Sequence, residues 1–287
     1  GRMEAEQYLL RIGCFGQVPP TLATLQLIHH KHLLSVPFEN LTIHCGGQIL
    51  LELPWIYDKI VTQRRGGFCF ENNGLFSWLL SQLGFEVTLL SAQVRNSITG
   101  RYGPPFDHLI IQVVIEGRRW LCDVGFGAGF QLPLSLETGE PQQQGDGLYR
   151  VRHQGETLFL ETARENPGEG EGGEGQGAWT ELYKFTLQPR RLEEFKAMCW
   201  YHQSSPSSIF FCKSLCSLLL PGGRLSYMGR RLITTHSPPG QGGSGMRTVV
   251  ELSDGEIPAV LRERFGIELP GPLTPKDENI IPPPPIY

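Results

Sequence analysis

The sequence predicts an α+β chain of several units, and three observations carry that class. Apolar residues recur at helical spacing up to about residue 84, and short β-branched runs split by glycine and proline follow to about residue 187. From about residue 191 strand-like and helix-like patterns mix. A chain of 287 residues is long enough for two or three packed units sharing a large core. The division taken is 3–84, 85–190, an interdomain helix within 191–206, and 207–287.

The elements follow in order. Tyr8, Leu9 and Ile12, then Leu22, Leu25, Leu27 and Ile28, lie on apolar helix faces. A further helix is marked by Leu75, Phe76, Leu79, Leu80 and Leu83, with Gly84 as its stop. Val87–Leu90, His108–Ile115, Trp120–Val124, Tyr149–Val151 and Thr157–Leu160 read as short strands, which suits a barrel or tightly curved sheet. Residues 166–177 are rich in glycine and glutamate with nothing to anchor a core, so a solvated loop is expected. A helix over Arg191–Tyr201 leads to strands at Cys216–Leu220 and Leu225–Tyr227 and a helix at Ile257–Phe265. The final Ile280–Tyr287 run, with four prolines, reads as an extended polyproline chain end more readily than as a ligand for a proline-binding domain.

Composition narrows the function classes without choosing one. The formal charge of −4 is of mixed sign, which argues against a nucleic-acid surface or a basic membrane patch. Apolar runs fall far short of the roughly 20 residues of a membrane span, and no charged-then-apolar leader precedes the first helix. Seven cysteines without pairwise spacing favour reduced thiols and a cytoplasmic protein.

Chemistry concentrates in two stretches. Arg64-Arg65-Gly66-Gly67-Phe68-Cys69-Phe70-Glu71 puts a cysteine in the first turn of a helix behind a glycine pair. Free backbone N–H groups there favour a thiolate, lowering a cysteine pKa from about 8.5 toward neutrality, and the glycines would allow close backbone approach. Taken alone, the stretch also suits a buried structural cysteine. The second stretch, Asp107 to Asp123, reads as two strands joined by a Glu116-Gly117 turn. With that loop His108 lies opposite Gly125 and Asp123 opposite Ile110, so His108 and Asp123 share a sheet face as diagonal neighbours about 7–8 Å apart along the backbone. A carboxylate on one imidazole nitrogen fixes the tautomer and leaves the other to take a proton from a nucleophile. Cys69, His108 and Asp123 form a candidate triad; Asp107 is the rival carboxylate, pointing to the opposite face. Gly125-Phe126-Gly127-Ala128-Gly129 is half a dinucleotide fingerprint with no helix behind it, so it reads as a substrate loop placing Phe126 and Phe130 by the triad, where barrel core is the other use for both. His29, His30 and His32 read as ordinary helix residues, and Cys212 with Cys216 makes a poor metal site.

These motifs, with Val36-Pro37-Phe38-Glu39-Asn40-Leu41, Asp123-Val124-Gly125-Phe126-Gly127, Tyr183 to Arg190 and Ser205-Pro206-Ser207-Ser208, closely resemble the arylamine N-acetyltransferases over nearly the whole chain. The resemblance implies a helical bundle supplying the cysteine, a β-barrel supplying His and Asp, and an α/β lid, with a papain-like Cys-His-Asp triad. It implies ping-pong acetyl transfer from acetyl-CoA, a co-substrate and not a tightly bound cofactor, to arylamines or hydrazines through a Cys69 thioester. Backbone N–H groups at the helix start, Cys69 and a neighbour, would hold the oxyanion. Phe38, Phe68 and Asp107 join Phe126 and Phe130 on the acceptor side. Tyr201, Ser207, Pro104 and Pro105 line the donor side, the proline pair replacing small polar residues of relatives. No metal is implied, no nucleic-acid or membrane partner, and a monomer is expected. Glu39 is the expected charge partner of Arg65, and Arg65→Ala is expected to lower turnover while leaving the fold intact. The same triad could serve a cysteine hydrolase, or be a relic in a binding scaffold. The fate of the acyl-enzyme separates these readings.

Overall fold

The structure, a computed structural model, describes residues 1–145, 147–163, 178–236 and 245–284. The expected loop at 166–177 and the tip of the proline run at 285–287 lie outside the described residues.

The N-terminal segment winds into α1 (Ala5–Arg11), α2 (Leu22–Ser35), α3 (Leu41–His44), α4 (Leu53–Tyr57), a π-helical turn at Asp58–Thr62, and α5 (Cys69–Gln82). The Thr21 hydroxyl starts α2 by accepting the Thr24 N–H. At the head of α5 the Glu71 carboxylate accepts the Phe68 N–H at 3.3 Å, and beyond its end Gly84 takes φ 92°. The apolar faces expected of these helices meet: Leu25, Ile28, Leu75, Phe76, Leu79 and Leu80 are buried with Tyr8 and Ile12 in one core.

Among the described residues eight antiparallel strands come next: β2 (Glu86–Val94), β3 (His108–Ile115), β4 (Arg118–Cys122), β5 (Leu134–Ser135), β6 (Gln142–Gln144), β7 (Gly147–Gln154), β8 (Thr157–Ala163) and β9 (Thr180–Phe185). Their order is β5-β4-β3-β2-β9-β8-β7-β6. Among the described residues no ladder joins the two edges; glutamine side chains do. Gln142 bonds the Ser135 backbone through both its amide atoms, and Gln144 accepts from Gln131 and Leu132 N–H while donating to Leu132 O. The sheet thus curls into a nearly closed barrel. Strand alternation divides it: Leu109, Ile111 and Val113 of β3 pack on the helices, while Ile110 joins the barrel interior with Leu90, Leu121, Tyr149, Leu160 and Tyr183.

One helix was expected over Arg191–Tyr201. A 3-10 turn at Leu192–Phe195, capped by Glu194 accepting the Arg191 N–H at 2.7 Å, delays the α-helix, so α6 runs Lys196–Ser204. Then come α7 (Ile209–Cys212), β10 (Leu215–Leu220), β11 (Gly223–Met228), β12 (Arg231–His236), β13 (Met246–Glu251) and α8 (Ile257–Phe265). The second sheet has the order β1-β10-β11-β12-β13, where β1 (Phe38–Glu39) is a two-residue strand from the helical segment. Through β1 the Pro-Phe-Glu-Asn motif ties this sheet to the glycine pair, since Phe38 also bridges Gly67. The tail returns along this unit, with Ile281 N–H bonding Pro206 O at 2.9 Å. No described helix is long and apolar enough to cross a membrane.

Candidate active site

The Glu116-Gly117 turn forms as expected, both residues at positive φ, and sets Ile111 opposite Cys122. His108 and Asp123 therefore share the barrel-side face, and His108 Nε2 lies 2.7 Å from Asp123 Oδ2. Four donors surround that carboxylate. Asn73 Nδ2 (2.8 Å) and Gly125 N–H (2.9 Å) serve Oδ1; Tyr183 Oη (3.1 Å) joins His108 at Oδ2. Burial pushes the Asp123 carboxyl up, but His108, Asn73 and Gly125 outweigh it, so it ends below its ordinary value and stays ionised.

Asn73 and Cys69 stand one turn apart on α5, and Asn73 locks that helix to the strands: it also donates to Leu109 O (2.7 Å) and accepts the Val124 N–H (2.9 Å). Gly125 lies directly against Cys69, for a Cβ there would stand 2.8 Å from Cys69 Cα. Cys69 Sγ faces Asp107 O at 4.0 Å. The thiol, 3% exposed, does not have the lowered pKa expected of a helix N-terminus. Burial pushes it well above its ordinary value, and Asp107 and Asp123 add to the rise against the Leu109 backbone. Desolvation outweighs the dipole, so a thiolate here requires a proton acceptor beside it.

The loop that leads into Cys69 is held by a buried charge cluster. Arg65 Nε and Nη2 reach Glu39 Oε1 (3.1 Å) and Oε2 (3.3 Å), the pair expected from sequence, and Nη2 also donates to Thr42 Oγ1 (3.0 Å). Lys59 Nζ pairs with Glu71 at 2.7 Å. Burial raises Glu39, Arg65 and Lys59 overcome it, and its carboxyl lies below its ordinary value; Glu71, where burial dominates, lies above. The glycine pair does not serve positive φ, which falls on Arg64 instead. Gly66 is required by its own chain: a Cβ there would meet Pro37 O at 1.9 Å.

The remaining expected residues separate. Phe126 is part-exposed, its ring 5.4 Å from His108 and 5.3 Å from Tyr183. Phe38 is part-exposed against Phe210. Phe68 is fully buried between Phe70 and Phe210, and Phe130 is barrel core, stacked on His29 at 5.8 Å. Neither ring of these last two is open to a ligand here. The Asp107 carboxylate is taken by Val94 N–H at 3.0 Å and lies 3.0 Å from His202 Nε2. Pro104 and Pro105 form the turn before it, Asp107 N–H bonding Pro104 O at 3.2 Å; Tyr201 sits on α6 and Ser207 in the turn leading to α7.

Sequence reasoning misses two residues. His29 Nε2 accepts the Asp123 backbone N–H (3.1 Å), which leaves its Nδ1–H for Gln131 O (2.6 Å). Burial lowers its pKa to about 4, so it remains a neutral bracket behind the carboxylate. Tyr183 stands out in the sequence only as part of a motif; burial and Asp123 push its hydroxyl well above the ordinary value and keep it a donor.

Fold and site define a class: a helical segment, a barrel and a second sheet gathered around a buried cysteine and a histidine–aspartate pair. A family model described as N-acetyltransferase matches residues 21–274. The chain is 37% identical to the arylamine N-acetyltransferase pineal gland isozyme NAT-3 of Gallus gallus, covering 95% of this chain and 97% of that one. It is 36% identical to arylamine N-acetyltransferase 1 of Homo sapiens, at 96% and 97% coverage. The arylamine N-acetyltransferase of M. smegmatis superposes with a TM-score of 0.81 at 31% identity, covering 93% of each chain. The Mycobacterium marinum enzyme, solved in complex with CoA, gives 0.77 at 28% identity, covering 92% of this chain and 93% of that one. This chain belongs to the arylamine N-acetyltransferase family.

Proposed function

We propose that the chain transfers an acetyl group from acetyl-CoA to the nitrogen of arylamines, arylhydrazines or hydrazines through a thioester on Cys69, with His108 as base and Asp123 as its orienter. The observation that carries the reading is the fully bonded, ionised Asp123 on His108 Nε2, locked by Asn73 to the helix that presents Cys69. It leaves Nδ1 as the proton acceptor and stabilises the imidazolium that results.

In the first half-reaction the thiol proton passes to His108 as Sγ attacks the thioester carbonyl carbon; the bond to coenzyme A sulfur breaks and His108 returns the proton to it. In the second, the amine nitrogen attacks the Cys69 thioester, His108 accepts its proton, and as the bond to Sγ breaks His108 returns that proton to the sulfur, restoring the thiol. The first-turn N–H groups of α5, Cys69 and its neighbour, would hold the oxyanion; one such donor is typically worth about 10²–10³ in turnover. Phe126 and Phe38, the part-exposed rings, serve the acceptor, and Phe68 and Phe130 act from behind them. The turn at Pro104 and Pro105 faces the donor together with Tyr201 and Ser207. The helical segment thus supplies the nucleophile, the barrel the base, and the C-terminal segment, with the Pro104–Pro105 turn before β3, the donor wall. The M. marinum relative, solved with CoA, supports acetyl-CoA as the donor. A cytoplasmic monomer completes the proposal, with light scattering as the check on the second term.

The test is intact mass after incubation with acetyl-CoA without acceptor, beside Cys69→Ala. One acetyl group on the wild type alone, discharged by an arylamine, is expected. Labelling independent of Cys69, or none, refutes the reading.

A further inference from the structure

We propose that Asp107, which the resemblance places on the acceptor side, instead forms with His202 a latch across the donor side of the site, a positioning pair that sets where the backbone beside Cys69 stands; the proposal rests on the acetyl-transfer reading above. The carboxylate is built into the fold. Val94 N–H at the end of β2 bonds Oδ2 at 3.0 Å, and Gly103 closes over the same oxygen so tightly that a Cβ would stand 2.2 Å from it. Oδ1 lies 3.0 Å from His202 Nε2, within ion-pair distance yet out of line for a hydrogen bond. On its other side His202 Nδ1 meets Ser208 Oγ at 2.6 Å, and that oxygen accepts the Phe210 N–H at the head of α7. Phe70, Tyr201 and Phe210 pack around the imidazole, which is 6% exposed.

Three consequences follow from the placement. Asp107 immediately precedes His108, and its own carbonyl is the oxygen that Cys69 Sγ faces. Any force on the carboxylate is therefore passed to the backbone that leads into His108 and whose carbonyl faces Cys69. The pair also spans the two stretches read as the donor wall, the turn at Pro104 and Pro105 on one side and α6 with the Ser205–Ser208 turn on the other. Phe126, by contrast, stands on the barrel-side face with His108, away from the latch. Loosening the latch should slow the arrival of the acetyl group more than its departure. A carboxylate kept this far from water is costly unless paired, which is why each partner alone should matter.

The test uses the full chain and measures the two half-reactions separately by quenched intact mass: acetylation of Cys69 against acetyl-CoA concentration, and discharge of the acetyl-enzyme by an arylamine. Asp107→Asn and His202→Gln are each expected to lower the acetylation rate constant about tenfold while discharge stays within about twofold. The double variant is expected to be no slower than the slower single one, as for two residues acting through one contact. Ser208→Ala loosens His202 without removing a charge and should give the same selective loss, which keeps the test decisive where a charge variant unfolds. Additive losses, equal losses in both half-reactions, or wild-type rates overturn the latch. Failure of the wild type to acetylate would instead overturn the reading beneath it.

Discussion

Arg65→Ala tests the buried charge cluster under the catalytic loop. Two carboxylates, Glu39 and Glu71, are balanced by Arg65 and Lys59, with Lys59 Nζ 4.0 Å from Glu39 as well as 2.7 Å from Glu71. All four side chains are at most 4% exposed. Deleting Arg65 leaves one ammonium against two buried carboxylates and strips Thr42 Oγ1 of its donor. The sequence suggested a variant with an intact fold; the burial replaces that expectation with a loss of about 3–5 kcal/mol. For a chain of this size that is a Tm fall of roughly 6–20 °C. Turnover at a temperature where the variant is still folded should drop as well, because Glu39 Oε1 also holds the Gly66 N–H at 3.3 Å, and a displacement of about 1 Å at Cys69 costs about 10²-fold. Arg65→Met combined with Glu39→Gln restores neutrality around the surviving Lys59–Glu71 pair and keeps an amide oxygen for one of the two N–H groups, Leu41 and Gly66, that Glu39 serves. Calorimetry should show the double variant recovering more than half of the lost Tm. A wild-type Tm for Arg65→Ala, or additive losses in the double variant, would refute the balance argument.

Other predictions follow from the same network. Asn73→Leu removes three buried hydrogen bonds and should cost about 3–6 kcal/mol; it should also raise the Asp123 carboxyl, moving the acid limb of the rate profile to higher pH, and an unmoved limb would mean that Asn73 does not tune Asp123. His29 titrates in the folded protein at about 4, below the unfolded value of about 6.5, so the unfolded chain binds more protons between them. Stability should therefore fall as pH drops from about 6.5 toward 4, by up to about 3 kcal/mol from this group; His29→Gln, which keeps both an acceptor and a donor, should flatten that slope, and an unchanged Tm–pH curve would sink the assignment. Phe126→Ala should raise the arylamine KM by up to about tenfold and the acetyl-CoA KM less; steady-state kinetics with both substrates varied would show whether the ring belongs to the acceptor.

What the sequence shows depends on whether a contact is local. The Glu116-Gly117 turn fixes its own register, so the His108–Asp123 pair is legible from residue order alone. Periodicity locates α5, and a conspicuous arginine before the glycines invites a carboxylate partner in Glu39. His29 and Tyr183, 94 and 60 residues from Asp123, leave no such trace: each bonds through tertiary packing, which has no periodic signature. The glutamine seam of the barrel is equally silent, since Gln142 and Gln144 bond backbone groups of the opposite edge that no spacing announces. The thiol pKa runs opposite to expectation for a related reason. A helix start is legible in sequence, whereas burial of Cys69 is a sum over side chains from distant segments.

That reversal bears on how the site must work. A thiol pushed up by burial and by two nearby carboxylates gains nothing from losing its proton alone. If the proton moves to His108, the charge created is a thiolate beside an imidazolium, and the positive member lies on the carboxylate that four donors keep ionised. The acidity of Cys69 is thereby delegated to Asp123. Groups that never touch substrate, Asn73 on α5 and Tyr183 on β9, should then set the pH at which the thiol can react, and His29 should hold the backbone that aims the carboxylate. Tyr183→Phe isolates the effect: its ring still packs on His108, but Oδ2 loses a donor, so the acid limb of Cys69 acetylation should rise in pH with little change in Tm.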